Sequence, residues 1–136
     1  MVDLVINRNC LYRTAYHVIW CPKYPDTLTG PIAAEMGTLL QAVCRERDWR
    51  VISNQIQPDH IHLFVSIPPA IAVANAVKVL KGVSARHLLQ RFPALKKRLW
   101  GGHLWSPSYY VGTAGTISAT TIQRFIERAE QVTQRR

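Results

Sequence analysis

The run Trp49-Arg50-Val51-Ile52-Ser53-Asn54-Gln55-Ile56-Gln57-Pro58-Asp59-His60-Ile61-His62-Leu63-Phe64-Val65-Ser66-Ile67 decides the fold. Trp49 to Ile56 and His60 to Ile67 are two apolar-alternating stretches, separated by Gln57, Pro58 and Asp59, a composition that favours a tight reversal. They predict an antiparallel hairpin. Alternate side chains of a strand share a face, so His60 and His62 project together while Ile61 and Leu63 enter the opposite layer.

Towards the amino terminus, Gly30 and Pro31 mark a helix start, with proline where its missing donor costs nothing. Ile32, Met36, Leu39, Leu40 and Val43 follow at helical spacing, to about Arg47. Ahead of it, Tyr12 to Tyr24 has apolar residues on both alternating sets and reads as a strand covered on both faces, ended by Pro22 and Pro25. Towards the carboxyl terminus, Pro68 and Pro69 stop the hairpin's second arm. A helical stripe follows through Ile71, Ala72, Val73, Ala76, Val77, Leu80 and Val83, with Lys78 and Lys81 on its far side and Gly82 as a local weakness. Its continuation from Ser84 to Arg91 closes at Pro93. Trp100 to Trp105, with Gly101 and Gly102, reads as a turn into a strand that resumes near Tyr109 to Val111. A last helix, capped by Thr116 or Ser118, carries Ile122, Phe125, Ile126, Ala129 and Val132 on one apolar face. The order is β, α, β, β, α, β, α. Without the last helix it is βαββαβ, an α+β, ferredoxin-like four-stranded antiparallel sheet with helices on one face, and the last helix is added to it.

At 136 residues the chain is expected to form one domain, residues 1–136. A composition of 48% hydrophobic and 18% charged residues excludes intrinsic disorder. The net charge of +9 is unevenly placed: from His60 to Ile126 there is no acidic residue, and that stretch alone carries eight Lys and Arg. Such a field attracts a polyanion, nucleic acid first, although an anionic membrane surface obeys the same physics. Cys10, Cys21 and Cys44 form no CxxC pair, which suits reduced, buried thiols. No long apolar segment is present, so no membrane association and a cytoplasmic location are expected.

His60 and His62 form half of a divalent-metal site, or else a partly buried pair hydrogen-bonded to its surroundings. The acid-free basic context favours an ion that would meet phosphate. His17, His87 and His103 stand alone in sequence and read as structural or solvent-facing. Trp100, Trp105, Tyr109 and Tyr110 either stack on unpaired bases or fill the core.

Four motifs go further: Tyr16-His17-Val18-Ile19-Trp20-Cys21-Pro22-Lys23-Tyr24, Pro58-Asp59-His60-Ile61-His62-Leu63, Leu80-Lys81-Gly82-Val83-Ser84-Ala85-Arg86, and Leu99-Trp100-Gly101-Gly102-His103-Leu104-Trp105-Ser106-Pro107-Ser108-Tyr109. Together they resemble, in order, the motifs of the single-tyrosine HUH transposases of the insertion-sequence 200/605 family. The resemblance implies a small homodimeric enzyme that recognises an imperfect DNA hairpin at the end of a mobile element and cleaves adjacent single-stranded DNA. It further implies Mg²⁺ or Mn²⁺ at His60 and His62, polarising the scissile phosphate. A tyrosine of the last helix then attacks, leaving a 5′-phosphotyrosine and a free 3′-hydroxyl. Lys78, Lys81, Arg86, Lys96, Lys97 and Arg98 are the expected DNA contacts.

This chain departs from that pattern on the last helix. In Ile122-Gln123-Arg124-Phe125-Ile126-Glu127-Arg128-Ala129, the nucleophile's position holds Phe125, and the position of a metal-binding Gln one turn later holds Ala129. Gln123, Glu127, Glu130 and Gln131 lie on other helical faces. Tyr109 matches the family's own Ser-Tyr motif, so neither it nor Tyr110 reads as a relocated nucleophile. A smaller departure is His103, where related sequences tend to carry Asn. The expectation is a transposase by descent that binds hairpins but cleaves poorly or not at all. Its rivals are a non-catalytic, domesticated or regulatory hairpin binder, and a metal-dependent phosphodiesterase using activated water.

Overall fold

In the computed structural model, which describes residues 4–6, 11–12, 14–99, 102–113 and 119–134, the hairpin forms as β4 (Arg50–Gln57) and β5 (His60–Ser66). Gln57 pairs with His60, so Pro58 and Asp59 alone make the turn. Val51 and Ile56 are an odd number of residues apart, and a regular strand would send them to opposite faces. A register irregularity between Val51 and Ser53 absorbs Ile52, which is left exposed, and both residues then reach the core side opposite Val65 and Ile61.

On the other side of β5 lies β3 (Ala15–Trp20), and beyond it β6 (Tyr110–Thr113). The antiparallel order β4-β5-β3-β6 is the ferredoxin-like arrangement expected from βαββαβ. Helices α1 (Gly30–Glu46), α2 (Val73–Arg91) and the short α3 (Pro93–Lys97) supply the core facing this sheet. Val18, Trp20, Ile61, Leu63 and Val65 are buried with Met36, Leu40, Cys44, Ala76, Leu80 and Leu88 in one cluster. The opposite face of the sheet carries His17, Ile19, His60, His62, Phe64 and Tyr110, by the alternation of strand side chains. Helix α4 (Ala119–Gln134) packs there, with Ile126, Ile122 and Phe125 against Cys21.

Several boundaries differ from those expected. The stretch expected as one strand over Tyr12 to Tyr24 is divided: Leu11–Tyr12 forms β2, paired with β1 (Val5–Ile6), and only Ala15–Trp20 joins the main sheet. Between them Thr14 is engaged through its hydroxyl to Ile67 O, while its carbonyl accepts from Ser66 Oγ at 2.9 Å. Pro93 closes α2 as expected but also begins α3, proline being suited to a first helical turn. No strand runs up to Trp105; that residue makes an isolated bridge to Pro22, and the fourth strand begins at Tyr110. Gly82 leaves α2 unbroken. Trp100, Gly101, Cys10, Thr116 and Ser118 fall outside the described residues. No described helix is long and apolar enough to cross a membrane.

Candidate functional site

His60 and His62 stand on the same face of β5, as alternation requires, and both are half-buried. Each has one ring nitrogen held. His60 Nδ1 lies 2.8 Å from Asp59 Oδ1, in the turn that precedes it. His62 Nε2 lies 2.9 Å from His17 Nδ1, contributed by the neighbouring strand. Burial, and secondarily the charges of His17 and His60, push the His62 pKa below the ordinary histidine value. Its imidazole is therefore neutral at neutral pH, as a cation ligand must be. Across the hairpin, Gln55 pairs with His62 and Gln57 with His60, so two exposed amides border the pair.

His17 takes the structural side of its two expected readings. It is 8% exposed and its ring stacks on Phe64 at 4.1 Å, so it is neither solvent-facing nor remote from the H-x-H pair. Its Cα partner on β5 is Phe64, which places it one alternate position from His62. The sequence signal that could have found it was the register: with β3 antiparallel to β5, the histidine of one motif falls beside the histidine of the other. His87 Nε2 donates to the Glu35 carboxylate at 2.8 Å, linking α2 to α1. His103 is exposed.

The α4 residue Phe125 is half-buried, and its ring faces that of Tyr110 at 6.4 Å. Tyr110 pairs with Ile19, which pairs with His62, so the three lie in one row across β6, β3 and β5. Helix α4 thus lies over the H-x-H face on its β3–β6 side, and the side chain it brings there is a phenyl ring. Gly112 shapes this corner. A Cβ at that position would come within 2.7 Å of the Tyr110 hydroxyl, so the missing side chain lets the tyrosine lie along the sheet. Ala129 lies four residues beyond Phe125 on the same helix.

Of the expected DNA contacts, Lys78, Arg86, Lys96, Lys97 and Arg98 are exposed. Lys81 sits differently from these five. It is half-buried, and its ammonium donates to Ser106 O at 2.7 Å and Ser108 O at 3.4 Å. Burial pushes its pKa down, only partly offset by Cys21 nearby. Trp105 Nε1 in turn donates to Lys81 O and Ser84 Oγ, at 3.0 and 3.1 Å. Two of the sequence motifs therefore meet as a clamp between α2 and the segment leading to β6. Trp105 is buried, with its ring edge on Trp20 at 6.0 Å, and so serves the core rather than base stacking. Tyr109 is 39% exposed, and with Lys78, Lys81, Ala74, Val77 and Pro107 it lines a shallow cavity of about 280 Å³.

Comparison with known proteins places this arrangement. The model of the family described as transposase, IS200-like, matches residues 10–129. The chain belongs to the IS200-like transposases. It is 40% identical over 127 residues to the ISDra2 transposase TnpA of Deinococcus radiodurans, covering 93% of this chain and 91% of that one. Identity to the transposase of insertion element IS200 from Salmonella typhimurium is 32% over 113 residues, or 82% of this chain and 74% of the relative. The crystal structure of a candidate transposase from Deinococcus radiodurans superposes with a TM-score of 0.83 at 33% identity, covering 92% of this chain and 97% of that one. A REP-associated tyrosine transposase bound to a REP hairpin shares the fold, with a TM-score of 0.55 at 11% identity over 90% of this chain and 68% of that one. Membership in the IS200/605 transposases and the α+β fold stand as expected.

Proposed function

We propose that this chain is a DNA transposase of the HUH single-strand type that binds hairpin ends and is deficient in strand cleavage. The observation that carries this reading is Phe125: the helix lying over the H-x-H face presents a phenyl ring packed towards Tyr110 and Cys21. Attack on phosphorus through a side chain requires an oxygen whose lone pair can form the new bond, and phenylalanine has none. The remaining parts of a strand-transfer site fit the reading. The acid-free segment from His60 to Ile126 supplies the field for a phosphodiester backbone, with Lys78, Arg86, Lys96, Lys97 and Arg98 exposed on it. A hairpin as ligand is supported by the relative of similar fold that was solved bound to one.

His60 and His62 suit Mg²⁺ or Mn²⁺. Each imidazole has its second nitrogen fixed, by Asp59 and by His17, as ligating histidines commonly do. Among the described residues no three His, Cys, Asp or Glu side chains are placed to hold a metal ion together, so water and phosphate oxygens would complete the shell. A cation held there supplies Lewis-acid polarisation of a phosphate oxygen. The chain's own residues hold the DNA backbone and orient the imidazoles. A homodimer is part of the proposal, with the second copy covering the remaining apolar surface of α4.

The test is incubation of the chain with a hairpin end, its adjacent single strand and Mn²⁺. Hairpin binding without a denaturation-resistant protein–DNA adduct is the expected result. A covalent adduct overturns the cleavage deficiency. Product release without an adduct would favour a water-using phosphodiesterase, and no preference for hairpins over duplex DNA overturns the reading altogether.

A further inference from the structure

His17 is held from two directions. Its ring lies parallel to that of Phe64, with 3° between the planes, and its Nδ1 is 2.9 Å from His62 Nε2. Two neutral imidazole nitrogens at that separation cannot present lone pairs to each other, so one of them carries the proton. The choice matters for His62. If His17 Nδ1 donates, His62 accepts through Nε2 and carries its own proton on Nδ1, which leaves it no lone pair for a cation. If His62 Nε2 donates, its Nδ1 lone pair is open. His60 repeats the logic: its Nδ1 faces the Asp59 carboxylate, which can only accept at neutral pH, so its Nε2 is the open nitrogen.

We propose that His17 is a positioning residue, which accepts a hydrogen bond from His62 Nε2 and so fixes both the ring orientation and the tautomer in which His62 Nδ1 can ligate a divalent cation. This rests on the metal reading of His60 and His62. It also gives the YHxxW-type segment of β3 a role beyond packing. Val18 and Trp20 point into the core, while His17 turns the other way, onto the ligand it orients.

The experiment has two arms. In the metal-free, ¹⁵N-labelled chain, His62 is expected to be protonated on Nε2, with a coupling across the hydrogen bond to His17 Nδ1. Protonation on Nδ1, or no coupling, overturns the proposal. In the second arm, His17→Phe keeps an aromatic ring on Phe64 and deletes the nitrogen, whereas His17→Asn restores an acceptor close to the position of Nδ1. The Mn²⁺ dissociation constant is expected to rise about 10-fold or more in His17→Phe, the usual loss for an outer-shell partner, and to recover most of the way in His17→Asn. The thermal midpoint should stay near that of the parent chain in both. A His17→Phe variant that binds Mn²⁺ as well as the parent overturns the proposal. If the parent chain itself binds no Mn²⁺, the metal reading of the site fails, and the nitrogen spectrum of the metal-free chain still decides the His17–His62 link.

Discussion

His62 titrates below the ordinary histidine range because it is partly buried and faces two other imidazoles. The unfolded chain accepts a proton near the ordinary histidine value of 6.5, before the folded chain does. Stability from this group is therefore complete above that pH and is lost as pH falls through the lower folded value. The thermal midpoint should drop between pH 7.5 and pH 5, and His62→Gln should flatten that slope. A second prediction at this scale concerns Phe125 and Ala129, which lie one helical turn apart. Phe125→Tyr with Ala129→Gln restores a phenol and an amide together, and the double variant should form a covalent adduct with single-stranded DNA far better than either single one. A double variant that binds Mn²⁺ and hairpin DNA yet forms no adduct would show that Phe125 does not stand at the nucleophile's position. Cys44 offers a contrast: burial raises its thiol to about 11, so it should resist alkylation in the folded chain.

At the scale of elements, the edge strand β6 depends on a side chain of another element. Lys81 of α2 ties down the carbonyls of Ser106 and Ser108, and Trp105 reaches back to Lys81 O and Ser84 Oγ. The backbone of Ser106 and Leu104 also bonds to Cys21 and Lys23, which extends the β3 edge past Pro22. Lys81→Met keeps the aliphatic stem and deletes the donor. A loss of about 1–3 kcal/mol is expected in denaturant unfolding, with faster amide exchange concentrated in residues 104–113. Uniform exchange changes across the sheet would instead mean that Lys81 acts on the core as a whole.

For the whole molecule, the field is set by where charge collects. Lys96, Lys97 and Arg98 are exposed at and just beyond α3, within the segment from His60 to Ile126 that carries no acidic residue. If all three meet phosphates, neutralising them should lower the slope of log affinity against log salt by about 2–3 units, since each contact releases close to one counterion. An unchanged slope would move the DNA surface elsewhere, towards Lys78 and Arg86. Association is the second property at this scale. Within one chain α4 buries Ile126 but leaves Ile122 and Phe125 only half covered. Sedimentation at micromolar concentration should show a dimer, and a strict monomer would remove the second copy from the proposed function.

Legible along the chain were the main βαββαβα order, though not the β1–β2 pair or α3, the hairpin turn at Pro58-Asp59, the common face of His60 and His62, the concentration of positive charge and, through four ordered motifs, the family. These are local or additive properties: alternation, helical spacing, turn chemistry and summed charge survive without knowing what lies next to what. Only the tertiary structure decided which isolated residues become neighbours. His17 was solitary along the chain and pairs with His62 because β3 runs antiparallel to β5 in one particular register. Lys81 resembled any exposed lysine of a helix until the segment before β6 passed over it and offered carbonyls. Val51 and Ile56 reach one face only through an irregularity that strict alternation forbids. In each case the deciding contact joins residues distant in sequence or depends on a partner strand's pairing, and such contacts are fixed by register and packing rather than by any local pattern.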